Sequence, residues 1–436
     1  MTSPRGLAFD AILMTVGRIA FVGLWFIGVA LVYRGLGSGP GGVAQAGMFA
    51  VCIAVIKVVS ACLTDPVDLA LMRRVPVLLR SHPDQAFRLL RAALGVRVLF
   101  GGFAACVLYW FSQDLARWLL HRDDAAGLLG VVAIAVLADM AFRATLIVLQ
   151  AEQRFVAFVA FEGTLHVMRL AAVTALWATG TMSVEWAIGS YAAASVLAAC
   201  GGVFLLPRGL LTRLHTGWSE ARELLGSIKW MLPGMVVASL NERFDLFLVG
   251  AWSGPEAAGL YGAMLTLALV PDLVTGCLTS LMQPRIVQLL ESGRFGATLR
   301  TFLMIGVPVC ALSMLVAIPL AAPVIGLVLG QTYLAGVPAF LWVAAGTLFW
   351  LAVAPLPLTL LAVVVPSRVV LLTLVQSSLL LLLGLLLLPT LGIVGMAQTV
   401  CAVRIVVALG ALAASLRLAA APPSDSLAPP MPRSAT

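Results

Sequence analysis

The chain has 436 residues, of which 61% are hydrophobic and only 11% are charged, and its mean hydropathy is +1.06. Soluble domains carry roughly a quarter charged residues, so this composition excludes a soluble globular protein and favours many membrane-spanning helices. The formal net charge of +8 does not indicate nucleic-acid binding, because the basic residues are spread over short loops between apolar segments.

Twelve apolar segments follow one another along the chain, and each is long enough to cross a bilayer as a helix, which takes about 20 residues. They are residues 9–33, 44–64, 91–112, 127–150, 156–178, 184–206, 230–252, 259–283, 301–323, 337–364, 369–388 and 392–416. The first segment has no cleavage site and is expected to stay uncleaved. The seven cysteines lie in apolar segments without CxxC spacing, so neither disulfides nor a metal site is predicted.

Basic loop residues differ strongly in number between the two sides of the predicted membrane. The side of the N-terminus carries 17 Lys and Arg residues in its loops and termini, whereas the opposite side carries Arg34, Arg117 and Arg122. The positive-inside rule places the richer side in the cytoplasm. We therefore expect a multi-pass protein of the cell (inner) membrane with both termini cytoplasmic.

The two halves of the chain resemble each other at a shift of 215 residues. This shift aligns Gly35–Pro40 with Gly250–Pro255 and Gly47 with Gly262, at the outer turn after the first helix of each half. Ser-Gly-Pro is also a common turn sequence, although the shift agrees with the order of the spans. Transporters are often built from such repeats.

The repeat predicts an all-α integral membrane protein with about 12 transmembrane helices, arranged as two six-helix lobes that a pseudo-twofold axis relates. A Pro- and Ser-rich tail follows the last span and is expected to be disordered. The predicted domains are an N-terminal lobe at 1–206, a cytoplasmic linker at 207–229, a C-terminal lobe at 230–417 and a cytoplasmic tail at 418–436.

Ionisable residues within the predicted spans are the strongest pointers to function, because each is costly in a bilayer and faces the bundle interior by default. The basic ones are Arg18, Lys57, Arg97, Arg143, Arg169, Arg243 and Arg404, and the acidic ones are Asp139, Glu162, Glu242, Asp245 and Asp272. Two further carboxylates, Asp65 and Asp68, lie near the inner end of the second span.

Some of these residues share a helix face. Asp139 and Arg143 are four residues apart, and Glu162, His166 and Arg169 form another stripe at helical spacing. Such neighbours could be neutralised pairs that hold helices together, which is a structural role. Alternatively, they could take part in the coupling or gating of transport.

The sequence Asn-Glu-Arg-Phe-Asp places Glu242, Arg243 and Asp245 near the middle of the seventh span. Neighbouring residues on a helix diverge, so at least one of the three is expected to face a polar cavity or a charged partner. Coupling or gating is predicted for Asp139, Arg143, Glu162, His166, Arg169, Glu242, Asp245 and Asp272.

Arg18, Arg97 and Arg404 have no carboxylate in reach on the same helix. Unpaired guanidinium groups in a membrane favour anions and bind phosphate through paired hydrogen bonds. Snorkelling to the interface is the alternative, chiefly for Arg97, which lies near the start of its helix. We predict a substrate-binding anion site in a cavity, formed by Arg18, Arg97, Arg243, Arg404 and Lys57.

Signals for catalysis are poor. The sequence contains no HExxH, GxSxG or P-loop motif. The longest outer loop, about residues 113–126, is too short for a folded catalytic domain. We predict no catalytic residue, no metal site, no cofactor and no enzymatic activity.

The order of several short motifs resembles the polysaccharide-biosynthesis flippases of the multidrug/oligosaccharidyl-lipid/polysaccharide (MOP) exporter superfamily. Asp245 in the seventh span is followed by the outer turn Ser253–Pro255, by Gly259–Ala263 and by a basic inner loop that ends at Arg294. The first half is similar, with the early Arg18 and a glycine-rich outer turn before the second span.

The resemblance implies a V-shaped, two-lobed carrier that moves an undecaprenyl-pyrophosphate-linked oligosaccharide or polysaccharide precursor between leaflets by alternating access. The cargo would serve lipopolysaccharide or exopolysaccharide assembly, and the partners would be this lipid-linked substrate, membrane lipids and other polysaccharide-assembly proteins. Relatives couple flipping to an ion gradient, but no cation site of the family matches this sequence residue by residue. Asp139, Glu162 and Asp272 are proton-carrier candidates by location alone.

Two other functions stay open at this point. A multidrug or small-molecule exporter of the same superfamily would favour carboxylates in its cavity, whereas the spans here have a slight basic excess. A membrane polymerase or ligase of the same pathway is the second alternative, although such enzymes usually carry a large outer loop.

Overall fold

The computed structural model describes residues 4–39, 41–207, 210, 218–229, 231–268, 270–283 and 285–420. Within these ranges the chain is almost entirely helical and contains no strand. The main helices are α1 Pro4–Gly37, α2 Gly42–Ser81, α3 Pro83–Trp110, α4 Ala126–Ala151, α5 Phe155–Ala178, α6 Val184–Val203, α7 Trp218–Ile228, α8 Leu232–Asn241, α9 Phe244–Leu267, α10 Val270–Met282, α11 Phe295–Val328, α12 Val337–Val353, α13 Pro355–Val364 and α14 Pro366–Ala420.

Two of these elements are broken by a glycine. Within α9, Gly254 has φ 81° and precedes Pro255, so the helix direction changes there. Within α14, Gly392 has φ 59°. Positive φ is readily adopted by glycine, which has no Cβ. Gly254 falls between the predicted spans 230–252 and 259–283, and Gly392 is the first residue of the predicted span 392–416.

Nine helical stretches in the described residues are long and apolar enough to cross a membrane. The number rises to ten if Phe244–Leu267 and Val270–Thr279, which are bent by 47°, form one span. Each of the twelve predicted segments coincides with helix, but α8 and α13 are short and α14 is long enough for two crossings. The count of twelve membrane crossings stays a prediction.

The helices pack into two compact units. Unit 1 contains the described residues up to Thr266 together with Ile325–Gly336, and unit 2 contains Leu267–Val324 and the chain from Val337 onward. The boundary at Thr266 differs from the predicted linker at 207–229, because α8 packs on α2 and α9 also belongs to unit 1. The two six-helix lobes therefore stay a prediction.

In unit 1, α2 is the central helix and packs against α1, α3, α4, α6, α7 and α8. Glycines allow the second half of α9 to approach it. A Cβ on Gly259 would lie 2.0 Å from the carbonyl oxygen of Val43, and one on Gly47 would lie 1.7 Å from that of Pro255. The backbones of α2 and α9 thus meet directly at these two glycines.

The segment Ile325–Gly336 is remote in sequence from the rest of unit 1, yet it packs on the end of α1. The Tyr333 hydroxyl donates a hydrogen bond of 3.0 Å to the carbonyl oxygen of Tyr33, and the Arg34 guanidinium donates one of 2.8 Å to that of Leu327. Tyr333 is fully buried. We call this segment the strap.

In unit 2, α12 and α13 pack along α14. A Cβ on Gly346 would lie 2.7 Å from the Cα of Cys401, so α12 and α14 are in close contact. Cys310, Ala352 and Ala408 are buried in one apolar cluster of this unit.

The predicted linker is described only in part. Its helix α7 buries Leu224 and Ile228 against α2 and α3. Its polar face forms ion pairs, with Glu220 2.8 Å from Arg88. The predicted tail at 418–436 lies outside the described residues from position 421 onward.

Candidate functional site

Two neighbouring cavities lie among the helices of unit 1. The first is lined by residues of α1, α2 and α9 and by Arg243, which immediately precedes α9. Lys57 and Arg243 are the charged residues in its described wall, together with Tyr33 and Thr266. We call it the cation cavity.

Lys57 and Arg243 have no carboxylate partner among the described residues. The Lys57 ammonium lies 3.9 Å from the centroid of the Trp25 ring, which is a cation–π contact. Aromatic contact does not supply a negative charge. The described wall of the cation cavity therefore has two basic side chains and no acidic one.

The second cavity lies among α1, α2, α5 and α6. Ten of its fourteen wall residues are apolar, so we call it the apolar cavity. It shares part of its wall with the cation cavity. The shared residues are Trp25, Val29, Phe49 and Ile53.

An ionic network lies beside the apolar cavity. Asp139 accepts a 2.9 Å hydrogen bond from Arg143 Nε, which confirms the predicted pair on one helix face. Arg169 Nη2 lies 3.4 Å from the other Asp139 oxygen and donates a 2.7 Å hydrogen bond to Ser195. The Arg169 guanidinium also covers the Tyr191 ring at 3.5 Å. Asp139 is thus held between two arginines.

The stripe predicted on α5 does not act as one group. Arg169 turns to Asp139 of α4, whereas His166 stacks on the Phe21 ring at 5.5 Å and 8°. Glu162 lies on the same helix and is half-buried. Arg169 and His166 therefore have separate surroundings.

Arg97 is buried and forms an ion pair with Asp68 of α2. The expectation that Arg97 is unpaired is wrong, because its partner lies on a neighbouring helix. The pair is surrounded by apolar residues such as Leu90 and Val67.

The three charged residues of the Asn-Glu-Arg-Phe-Asp sequence separate as expected. Arg243 lines the cation cavity, whereas Glu242 is exposed. Asp245 is buried and accepts a 2.8 Å hydrogen bond from the Tyr261 hydroxyl, across the break at Gly254. The Asp and Gly-x-Tyr motifs of the sequence are therefore joined directly within α9.

In unit 2, Arg404 of α14 binds Asp272 of α10 through two hydrogen bonds of 3.1 and 3.2 Å. Arg404 also donates a 2.8 Å hydrogen bond to the buried Thr347 hydroxyl. The expectation that Arg404 is unpaired is wrong for the same reason as for Arg97. Arg18 lies within α1, and its side chain lies outside the described part of the structure.

Outside the spans, the Ser219 hydroxyl lowers the pKa of Glu220 from its ordinary value, with further contributions from the Glu220 backbone and from Arg88. Among the residues that the structure describes, no cluster of three or more His, Cys, Asp or Glu side chains is able to hold a metal ion.

Sequence reasoning missed the partners that fix these charges: Trp25, Tyr191, Ser195, Tyr261 and Thr347. Aromatic and hydroxyl residues are common in spans for packing reasons, so hydropathy gives no signal for them. For Tyr261, the Gly-x-Tyr motif was the available sign.

The sequence model of a family described as "Polysaccharide biosynthesis protein" matches residues 43–338. No curated protein matches the sequence. Solved structures do resemble it. The lipid II flippase MurJ in an inward closed conformation has a TM-score of 0.73 at 13% identity, covering 94% of this chain and 90% of that chain.

Two structures of MATE transporters are also similar. An inward-facing MATE family transporter of the MOP superfamily has a TM-score of 0.70 at 14% identity, covering 93% of this chain and 98% of that chain. A MATE transporter from Vibrio cholerae has a TM-score of 0.65 at 15% identity, covering 94% and 95%. These likenesses confirm the predicted all-α fold, which this chain shares with the solved transporters.

Proposed function

Because the chain belongs to the polysaccharide biosynthesis protein family, we propose that it is a flippase that moves a lipid-linked oligosaccharide or polysaccharide precursor across the cytoplasmic membrane. The observation that carries the proposal is the cation cavity, where Lys57 and Arg243 have no carboxylate partner in the described residues. A pyrophosphate group that links a glycan to its lipid supplies the missing negative charge.

Lys57 and Arg243 suit this role in complementary ways. The guanidinium of Arg243 offers paired donors to phosphate oxygens, and the ammonium of Lys57 acts as a point charge. Because Trp25 holds the Lys57 ammonium without neutralising it, a phosphate gains attraction without first breaking an ion pair. We propose these two residues as the anion site, with Arg18 as a further member.

The other predicted anion ligands act differently in this proposal. Arg97 and Arg404 are each engaged by an aspartate, so an incoming phosphate would have to displace a bound carboxylate. We therefore assign them to holding helices together. Coupling or gating by Asp139, Asp272 and their arginine partners stays part of the proposal.

The flippase would act by alternating access, opening the cavity first to the inner and then to the outer leaflet. We propose the inner membrane as its location, cytoplasmic termini and two lobes at 1–206 and 230–417. Its partners would be the lipid-linked glycan, surrounding lipids and other polysaccharide-assembly proteins. No catalytic step is part of the proposal.

Charge reversal tests the proposal in cells that depend on this protein for surface polysaccharide. Lys57→Glu and Arg243→Glu should each abolish export while membrane insertion persists, because the site then repels pyrophosphate. Arg117→Glu, a reversal at an exposed loop residue, is the matched control and should export normally. Normal export by both cavity variants would overturn the anion site.

A multidrug exporter is the less favoured function. Among the described residues that line the two cavities, none is acidic, whereas an exporter of organic cations would favour carboxylates in its cavity. Unchanged drug susceptibility of a deletion strain would support the flippase. For a polymerase or ligase, reconstituted protein should alter glycan length or attachment, and a flippase should not.

A further inference from the structure

We propose that the apolar cavity binds the part of the polyisoprenoid chain that lies next to the pyrophosphate of the substrate. The inference rests on the proposed function, since it starts from a phosphate held by Lys57 and Arg243. It adds a second site for the same ligand, within the helices α1, α2, α5 and α6.

The first argument is the shared wall. Trp25, Val29, Phe49 and Ile53 line both cavities. A group attached to a phosphate in the cation cavity therefore has the apolar cavity as its adjoining space. The pyrophosphate of the proposed substrate bears two groups, which are a glycan and an isoprenoid chain.

The second argument is the chemistry of the wall. Leu24, Val32, Leu170 and Val173 present hydrocarbon to the cavity. A glycan there would leave most of its hydroxyl groups without hydrogen bonds, which is costly in an apolar site. An isoprenoid chain has no such groups.

Arg169 is the charged residue of this wall, and its Nη2 is bound to Asp139 and Ser195 while the guanidinium lies on the Tyr191 ring. Its charge is therefore already compensated by Asp139. His166 is stacked on Phe21, and its Nδ1 has no hydrogen-bond partner among the described residues.

Gly28 provides a precise test, because it lines the apolar cavity but not the cation cavity. A Cβ at this position would meet only Leu170, at 3.8 Å, which is ordinary contact. Gly28→Leu should therefore fold and fill the cavity. Gly23→Leu is the matched control on the same helix, where a Cβ meets nothing within 4 Å.

The experiment uses the full-length protein in detergent micelles and isothermal titration calorimetry, with protein-free micelles as the blank. The probes are inorganic pyrophosphate, isopentenyl pyrophosphate and farnesyl pyrophosphate. Farnesyl pyrophosphate should bind on the order of tenfold more tightly than isopentenyl pyrophosphate. The gain in affinity is limited because the isoprenoid chain of the unbound probe already lies in a micelle and not in water. Gly28→Leu should remove most of this ratio, and Gly23→Leu should retain it.

The possible failures point to different conclusions. Equal affinity for the two isoprenoid probes, or an unchanged ratio in Gly28→Leu, would overturn the isoprenoid site while pyrophosphate binding keeps the proposed function intact. Farnesyl pyrophosphate binding that is unaffected by Lys57→Glu and Arg243→Glu would overturn the anion site. The ratio of the two isoprenoid affinities in the wild-type protein tests the site by itself, whether or not a variant folds.

Discussion

Replacing Asp139 by alanine removes the carboxylate that neutralises two arginines inside unit 1. Its side chain is 9% exposed, and it lies 2.9 Å from Arg143 and 3.4 Å from Arg169. Two features limit the damage: Arg143 is also 4.0 Å from Asp65, and Arg169 keeps its hydrogen bond to Ser195. Breaking a buried pair costs about 3–5 kcal/mol, so we expect the free energy of unfolding to fall by about 3 kcal/mol.

The assay is unfolding of the purified protein in mixed micelles with increasing dodecyl sulfate, followed by circular dichroism. Asp124→Ala is the control, because Asp124 pairs with Arg122 at an exposed site and should give no measurable loss. The double variant Asp139→Ala/Arg169→Met should be more stable than the two separate losses predict. A loss for Asp139→Ala no larger than for Asp124→Ala would refute the idea that this network stabilises unit 1.

Three further changes have expected outcomes in the same unfolding assay. Tyr261→Phe should cost about 1–3 kcal/mol, because it leaves the buried Asp245 without the hydroxyl that donates to it. Gly259→Ala should prevent stable packing of α9 on α2, since its Cβ would lie 2.0 Å from the Val43 carbonyl oxygen. Glu220 has a lowered pKa in the folded protein, so its ionised form stabilises the fold above the ordinary glutamate pKa of 4.5. The small advantage of wild type over Glu220→Gln should disappear as the pH falls below that value.

Each of these changes has a control elsewhere in the chain. Tyr109→Phe removes a hydroxyl from an exposed residue, and Gly95→Ala adds a Cβ that meets nothing within 4 Å. Both should leave stability nearly unchanged. If a test variant and its control lose equal stability, the contact that the test variant removes or crowds does not stabilise the fold. For Glu220→Gln, the free energies of unfolding of wild type and variant are compared from pH 7 to pH 4. A difference that stays constant over this range would contradict the stabilising role of the Glu220 carboxylate.

Helix positions could be predicted from the sequence because a bilayer imposes long apolar segments, and the pair Asp139–Arg143 followed from helical spacing. The partners of Arg97 and Arg404 could not be predicted. Arg404 and Asp272 are 132 residues apart, and their contact depends on the rotation and the position of two helices. The hydropathy of the sequence gives neither the rotation nor the position.

The cation cavity was predicted only in outline. The basic residues in the spans led us to predict an anion site, which stays a prediction; the structure places Lys57 and Arg243 in one cavity and pairs Arg97 and Arg404 with aspartates. Which cations stay unpaired depends on the positions of a few carboxylates, such as Asp68 and Asp272. Those positions are set by packing across helices.

The strap has a consequence for how the protein is made. Unit 1 is completed by Ile325–Gly336, and the ribosome delivers these residues only after Leu267–Val324 of unit 2 has been synthesised. Domains generally fold as the chain emerges, so the contact site on α1, including the Tyr33 carbonyl that Tyr333 binds, must wait for it. A nascent chain that stops before Tyr333 should expose this end of α1 to thiol reagents at a cysteine placed there, and a slightly longer one should protect it.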